Sequence, residues 1–177
     1  LGPLPAGDYD ISIILRDADT SAVVGSYTLP EPLRVQSRPR DLVVPKMQTR
    51  LDVALAPIRL LGVDQAQRDE MLELTLYWQA MTDVSADYKV FVHVFDPSQE
   101  KIVAQVDTMP RQNQYPTHLW VAGEVVRDPL TISLADVPSG TYRIAVGLYD
   151  PQTDVRLAAV GGEGVTISDN RVLLPTP

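Results

Sequence analysis

Between Met109 and Arg127 the chain gathers the residue types that hold a sugar. Tyr115 and Trp120 supply flat aromatic faces, and Arg111, Gln112, Asn113 and Gln114 supply guanidinium and amide donors. A pyranose stacks its apolar face on such rings and gives its hydroxyls to such planar polar groups. Long loops on a rigid β scaffold often carry binding. The competing expectation is that Tyr115 and Trp120 fold inward to cover an open end of the core, with Pro110 and Pro116 stiffening the path. A second spot is formed by His93, in a stretch apolar at both parities, and Asp107, at the end of the next strand-like stretch. Pairing of those two strands would set an imidazole near a carboxylate on a sheet face. The plainer expectation for His93 is a hydrogen-bonded structural histidine.

Other chemistry is argued down by what the sequence lacks. The chain has no cysteine, which removes disulfides, thiolate nucleophiles and Cys-based zinc sites. His118 has no HxH or HxxxH partner, so no histidine metal site is expected. A carboxylate-only calcium site drawn from Asp96, Asp107, Glu124 or Asp128 stays open, because oxygen ligands collected from separate loops leave no spacing to read. There is no GxSxG elbow, and Gly161-Gly162-Glu163-Gly164 lacks the following Lys and the helix of a phosphate loop. The segment is therefore expected to have no catalytic residues, no metal and no cofactor.

The charge balance narrows the partners. Fifteen basic against 23 acidic residues give a net charge of -8, with no run of Lys or Arg. Nucleic acid and anionic lipid surfaces are bound through clustered cations, so neither is an expected partner. No apolar run approaches the roughly 18–20 residues of a membrane helix. The start, LGPLPAGDYD, lacks a signal-peptide pattern, has no Met and opens directly into a turn and strand, as an excised piece of a longer protein would.

The elements that must position these residues read as strands. Fifteen prolines leave few windows for a helix. Leu72, Leu74, Leu76 and Trp78 alternate along one face of a half-buried strand. From Tyr88 to Phe95 both parities are apolar, which places that strand centrally or under a covering loop. Further strands are expected at 102–107, 130–134, 141–149, 155–159 and 165–167, with Asp-Pro turns at Asp96 and Asp150. The fold class is all-β: an antiparallel β-sandwich, immunoglobulin-like or jelly-roll-like.

An internal repeat organises the chain. Leu4-Pro5-Ala6-Gly7-Asp8-Tyr9-Asp10-Ile11-Ser12-Ile13-Ile14-Leu15-Arg16-Asp17 aligns without a gap on Val137-Pro138-Ser139-Gly140-Thr141-Tyr142-Arg143-Ile144-Ala145-Val146-Gly147-Leu148-Tyr149-Asp150, and Thr20 and Thr153 keep the offset. The offset is about the length of one sandwich domain. Residues 1–36 are then expected to be the closing hairpin of a truncated preceding repeat plus the start of a proline-stiffened linker, and 37–177 the complete sandwich. A lone hairpin is marginal in water, so it must pack on a neighbouring domain, pair with another chain or be poorly ordered.

The segment from Tyr77 to Asp150 also carries a resemblance. Leu76-Tyr77-Trp78-Gln79-Ala80, Tyr88-Lys89-Val90-Phe91-Val92-His93-Val94-Phe95-Asp96, Tyr115-Pro116-Thr117 with Trp120 and Gly123-Glu124, and Gly140-Thr141-Tyr142 with Val146-Gly147-Leu148-Tyr149-Asp150 resemble the C-terminal, extracytoplasmic β-sandwich regions of bacterial multi-spanning membrane glycosyltransferases of the protein O-mannosyltransferase and aminoarabinose-transferase type. The resemblance implies a place outside the cytoplasm, as part of a larger membrane or secreted protein, and an accessory role that contacts glycan, acceptor protein or neighbouring domains. Transfer chemistry would belong to a membrane-embedded part, so it implies no catalytic residue here. The alternative from the residues alone is a purely structural packing module of a cell-surface protein.

Overall fold

The computed structural model describes residues 6–36, 38–137 and 142–175. The chain divides into two compact units, Leu1–Pro39 and Arg40–Pro177. Of the repeat's two Pro-x-Gly turns, Pro5 of the first and the whole of the second, within 138–141, lie outside the described residues, as does Leu4.

The first unit has four short strands, β1 (Gly7–Tyr9), β2 (Ser12–Arg16), β3 (Val23–Thr28) and β4 (Leu33–Val35). β2 and β3 form an antiparallel hairpin, and β4 pairs with β1. The segment expected as a proline-stiffened linker thus contains a strand: Leu33–Val35 lies between its prolines and returns to Gly7–Tyr9, with Arg34 forked onto Asp8.

The second unit is an antiparallel β-sandwich. Its first strands are β5 (Thr49–Leu55), β6 (Ile58–Arg68), β7 (Met71–Ala80), β8 (Lys89–Asp96), β9 (Lys101–Thr108) and β10 (Val125–Ser133). These are followed by β11 (Arg143–Asp150), β12 (Val155–Arg156), β13 (Val160–Gly161), β14 (Ile167–Ser168) and β15 (Arg171–Leu173). One sheet runs β10-β7-β6-β5-β13, the other β14-β15-β11-β8-β9 with β12 added to β11. Leu60, Leu74, Leu76 and Trp78 of the first sheet share one buried cluster with Val90, Val92, Val94, Ile144, Val146 and Leu148 of the second. Alternation sends these side chains inward from both sheets, so the core lies between them.

Local departures from alternation explain where the pattern was harder to read. β7 is half buried only in its first half. Tyr77, on its other face, is also buried, in a smaller cluster with Leu61 and Val125, capped by Met47. β6 carries an irregularity between Leu60 and Gly62 that turns Leu61 to that outer cluster. A Cβ on Gly62 would lie 2.1 Å from the Thr49 carbonyl oxygen, so only glycine lets β5 approach there. β10 starts at Val125 rather than near Leu130 and includes Pro129, which pairs with Thr75. It is the terminal strand of its sheet, where proline's missing N–H leaves no gap in a ladder. The stretch 155–159 forms only the two-residue β12.

The turns after β2 and β11 are the same turn. Asp17 Oδ1 accepts from the backbone N–H of Asp19 at 3.1 Å, as Asp150 Oδ1 does from Gln152 at 2.8 Å. Ser21 and Asp154 both stand at φ 57 and both donate N–H to the carbonyl of the leading aspartate. Thr20 and Thr153 each accept the N–H two residues on, at 3.4 Å.

Candidate functional site

The loop from Met109 to Glu124 leaves β9, makes one left-handed turn, passes a single 3₁₀ turn at Thr117–Leu119 and enters β10. Its bonding shows that it belongs to the core. Tyr115 and Trp120 are 3% and 1% exposed, with ring centroids 6.1 Å apart. The Trp120 indole N–H donates to the Tyr115 carbonyl at 3.2 Å, and the Tyr115 hydroxyl donates to Glu124 Oε1 at 2.6 Å. Glu124, itself buried, also takes Arg40 Nη1 and the Val121 N–H on Oε2. Arg40 Nη1 reaches the Leu119 carbonyl as well, at 2.9 Å. Thr117, fully buried, donates to the Ala86 carbonyl and accepts the Tyr88 N–H, which ties the loop to the start of β8.

The expectation that Tyr115 and Trp120 offer sugar-stacking faces is therefore corrected. Their rings close one end of the sandwich, and the physical reason is the paired charge beneath them. Buried Glu124 must have donors, and Tyr115, Arg40 and Val121 supply them only if the loop folds inward.

What remains outward is the polar half of the loop. Arg111, Gln112 and Asn113 stand at φ 53, 55 and 67, a left-handed run that costs about 1–2 kcal/mol per residue and needs outside support. That support is Asp128. Its Oδ1 accepts the Arg111 N–H at 2.7 Å and its Oδ2 accepts the Trp78 indole N–H at 3.3 Å. Asn113 adds its own side-chain oxygen to the Met109 N–H. Asp128 is wholly buried, and desolvation pushes its carboxyl up to about 6 against the lowering pull of these donors.

Arg111, Gln112, Gln114, Arg127 and Pro129 line a shallow cleft of about 350 Å³ on this rim. Arg111 spends Nε on the Arg127 carbonyl and lies 5.6 Å from the Tyr115 ring centre; Arg127 lies 5.5 Å from that of Tyr77 and donates to its hydroxyl. Neither arginine has a carboxylate within ion-pair distance among the described residues.

His93 and Asp107 do come onto one sheet face. β8 and β9 pair with Phe91 opposite Asp107 and His93 opposite Gln105, so the two sit diagonally. His93 is buried beside Phe91, at 4.8 Å between ring centroids, while Asp107 is exposed. His93 differs from the expected hydrogen-bonded histidine in that its Nδ1 is buried without a hydrogen-bond partner. Desolvation holds its pKa below the usual value; Asp107 opposes that shift, and Arg156 and Arg171 add to it. Those two arginines lie 5.1 and 5.4 Å from the ring centres of Phe91 and Phe95. They account for a strand apolar on both faces.

The acids considered for calcium do not gather. Among the described residues no group of three His, Asp or Glu side chains could hold a metal ion. His118 pairs with Asp87 through Nδ1 at 2.7 Å on the surface. A second cleft of about 350 Å³, where the sheets part near Thr49, Arg50, Arg143 and Leu173, is lined by one carboxylate, Glu163. No described helix is long and apolar enough to cross a membrane. The residues that organise the site, Arg40, Glu124, Arg127 and Asp128, were not singled out by sequence as a group. The available signal was Arg127-Asp128, a charged pair next to the apolar Val125-Val126.

Fold and site define an antiparallel β-sandwich module with a core-closing loop. No family model, no curated protein and no solved structure matches the chain.

Proposed function

We propose that the chain is a non-catalytic accessory β-sandwich module that works by packing among neighbouring domains of its own protein. The observation that carries this reading is the inward fold of Tyr115 and Trp120 over the Glu124–Arg40 pair, which spends the loop's aromatic surface on stability. Its setting, outside the cytoplasm and attached to a membrane glycosyltransferase, rests on the sequence resemblance alone. Calorimetric titration of the intact chain with neutral oligomannose and with an acidic oligogalacturonate tests the reading, and no saturable heat is expected from either.

A second reading is favoured by one specific observation, the pair Arg111 and Arg127 beside Gln112 and Gln114 in a cleft with no lining carboxylate. Planar guanidinium and amide donors at that spacing suit a carboxylate-bearing sugar. Saturable binding of oligogalacturonate that disappears in Arg111→Ala/Arg127→Ala would replace the packing role with this one.

A further inference from the structure

The β2–β3 hairpin carries an apolar face that none of the described residues of its own unit buries. Ile13 pairs with Tyr27, Leu15 with Gly25, and Leu29 donates its N–H to Ile11. Ile11, Ile13, Leu15, Tyr27 and Leu29 thus share one face, and they are 38, 53, 62, 61 and 36% exposed. The other face mixes Ser12, Arg16, Ser26 and Thr28 with Ile14 and Val23, and Ser12 and Thr28 are hydrogen-bonded across it at 2.7 Å. A sheet with one continuous apolar face and one mixed face is suited to cover a core with the first.

The same chain shows what covers such a face. Along the gap-free repeat, Ile11, Ile13 and Leu15 fall on Ile144, Val146 and Leu148 of β11, which are 2, 0 and 0% exposed. Only one methylene distinguishes the two sets of inward side chains. The turns that close the two hairpins share their bonds and their left-handed residue. In the second unit the β11 face shares one cluster with Leu60, Leu74, Leu76 and Trp78 of the facing sheet, and the β11 edge away from β12 is paired with β8. In the hairpin the corresponding edge of β2 has no pairing strand among the described residues.

We propose that the β2–β3 hairpin is the closing hairpin of another sandwich of the same design. Its apolar face docks on an antiparallel sheet equivalent to β6–β7, and its free β2 edge pairs with a strand equivalent to β8. In the chain order of the second unit those strands come before the closing hairpin, so the occupant is a preceding repeat of the same polypeptide. This deepens the packing role proposed above, whose own test is ligand titration at the 109–127 loop, so failure of either shows separately.

The test transplants the hairpin. In the intact chain, residues 143–155 are replaced by residues 10–22 with glycine kept at 147, because a Cβ there would meet the Phe91 ring at 2.4 Å. The control exchanges only the residues on the other face of β11, as Arg143→Asp, Ala145→Ser and Tyr149→Arg. The expected result is that both chains unfold in a single cooperative transition of the sandwich, within about 10 °C of the unmodified chain. Placing Asp at the transplanted Ile13 position should abolish that transition, whereas Ile13→Asp in the natural hairpin should leave it unshifted. A transplant that stays unfolded while the control folds would overturn the proposal. So would a discrete dimer of the unmodified chain, seen by sedimentation and lost in Ile13→Asp, because a second copy would then be the occupant.

Discussion

Asp128 and Glu124 show how one buried carboxylate can strain the sandwich while another holds it. Asp128 is raised to about 6 from 3.8 by burial, so its charge opposes folding. The stability it allows is fully present below pH 3.8 and is lost as pH rises through 6, about 2–3 kcal/mol in all. Asp128→Asn should therefore reduce that loss, seen as a flatter stability difference between pH 4 and 7 in urea melts of variant and parent. His93, lowered by desolvation, acts with the opposite sign below its ordinary 6.5, which makes the variant-minus-parent difference the quantity to read. Glu124 is a buried carboxylate with its partners in place, Arg40 and Tyr115. Arg40→Ala leaves its charge buried with too few donors and should cost about 3–5 kcal/mol. Tyr115→Phe removes one donor and should cost about 1–3 kcal/mol, both measured by denaturant midpoint.

Among the elements, legibility followed regularity. Leu72, Leu74, Leu76 and Trp78 could be read because β7 runs against β6 and β10 with its alternation intact there. β5 and β6 could not, because the irregularities at Arg50–Val53 and Leu60–Gly62 break the period and turn Leu61 to the opposite face. The first part of β10 was hidden by Pro129, which argues against a strand unless the strand lies at an edge. The loop posed a different problem. A sequence names its aromatics but not the direction they point, and that direction is set by Arg40, a residue far away in sequence whose role appears only in the folded chain. Gly62→Ala tests the bulge directly: the added methyl meets backbone at 2.1 Å, so β5 must separate, with an expected cost of about 3 kcal/mol or more in thermal or urea melts.

On the scale of the whole molecule, the second unit is a sandwich whose longest loop is part of its core, so what that loop offers a ligand is its shallow polar rim. Fold class was open to sequence reading because alternation and turn residues repeat along the chain; function was not, because every residue type a sugar surface needs is also a type that closes a core. The chain has two tryptophans, Trp78 and Trp120, both essentially without exposed surface. Iodide quenching of the native chain's tryptophan emission reads that burial without any substitution. The account predicts a blue-shifted emission that iodide leaves almost unquenched until the chain is unfolded. A native fraction of about half the emission open to iodide would put Trp120 at the surface and contradict it.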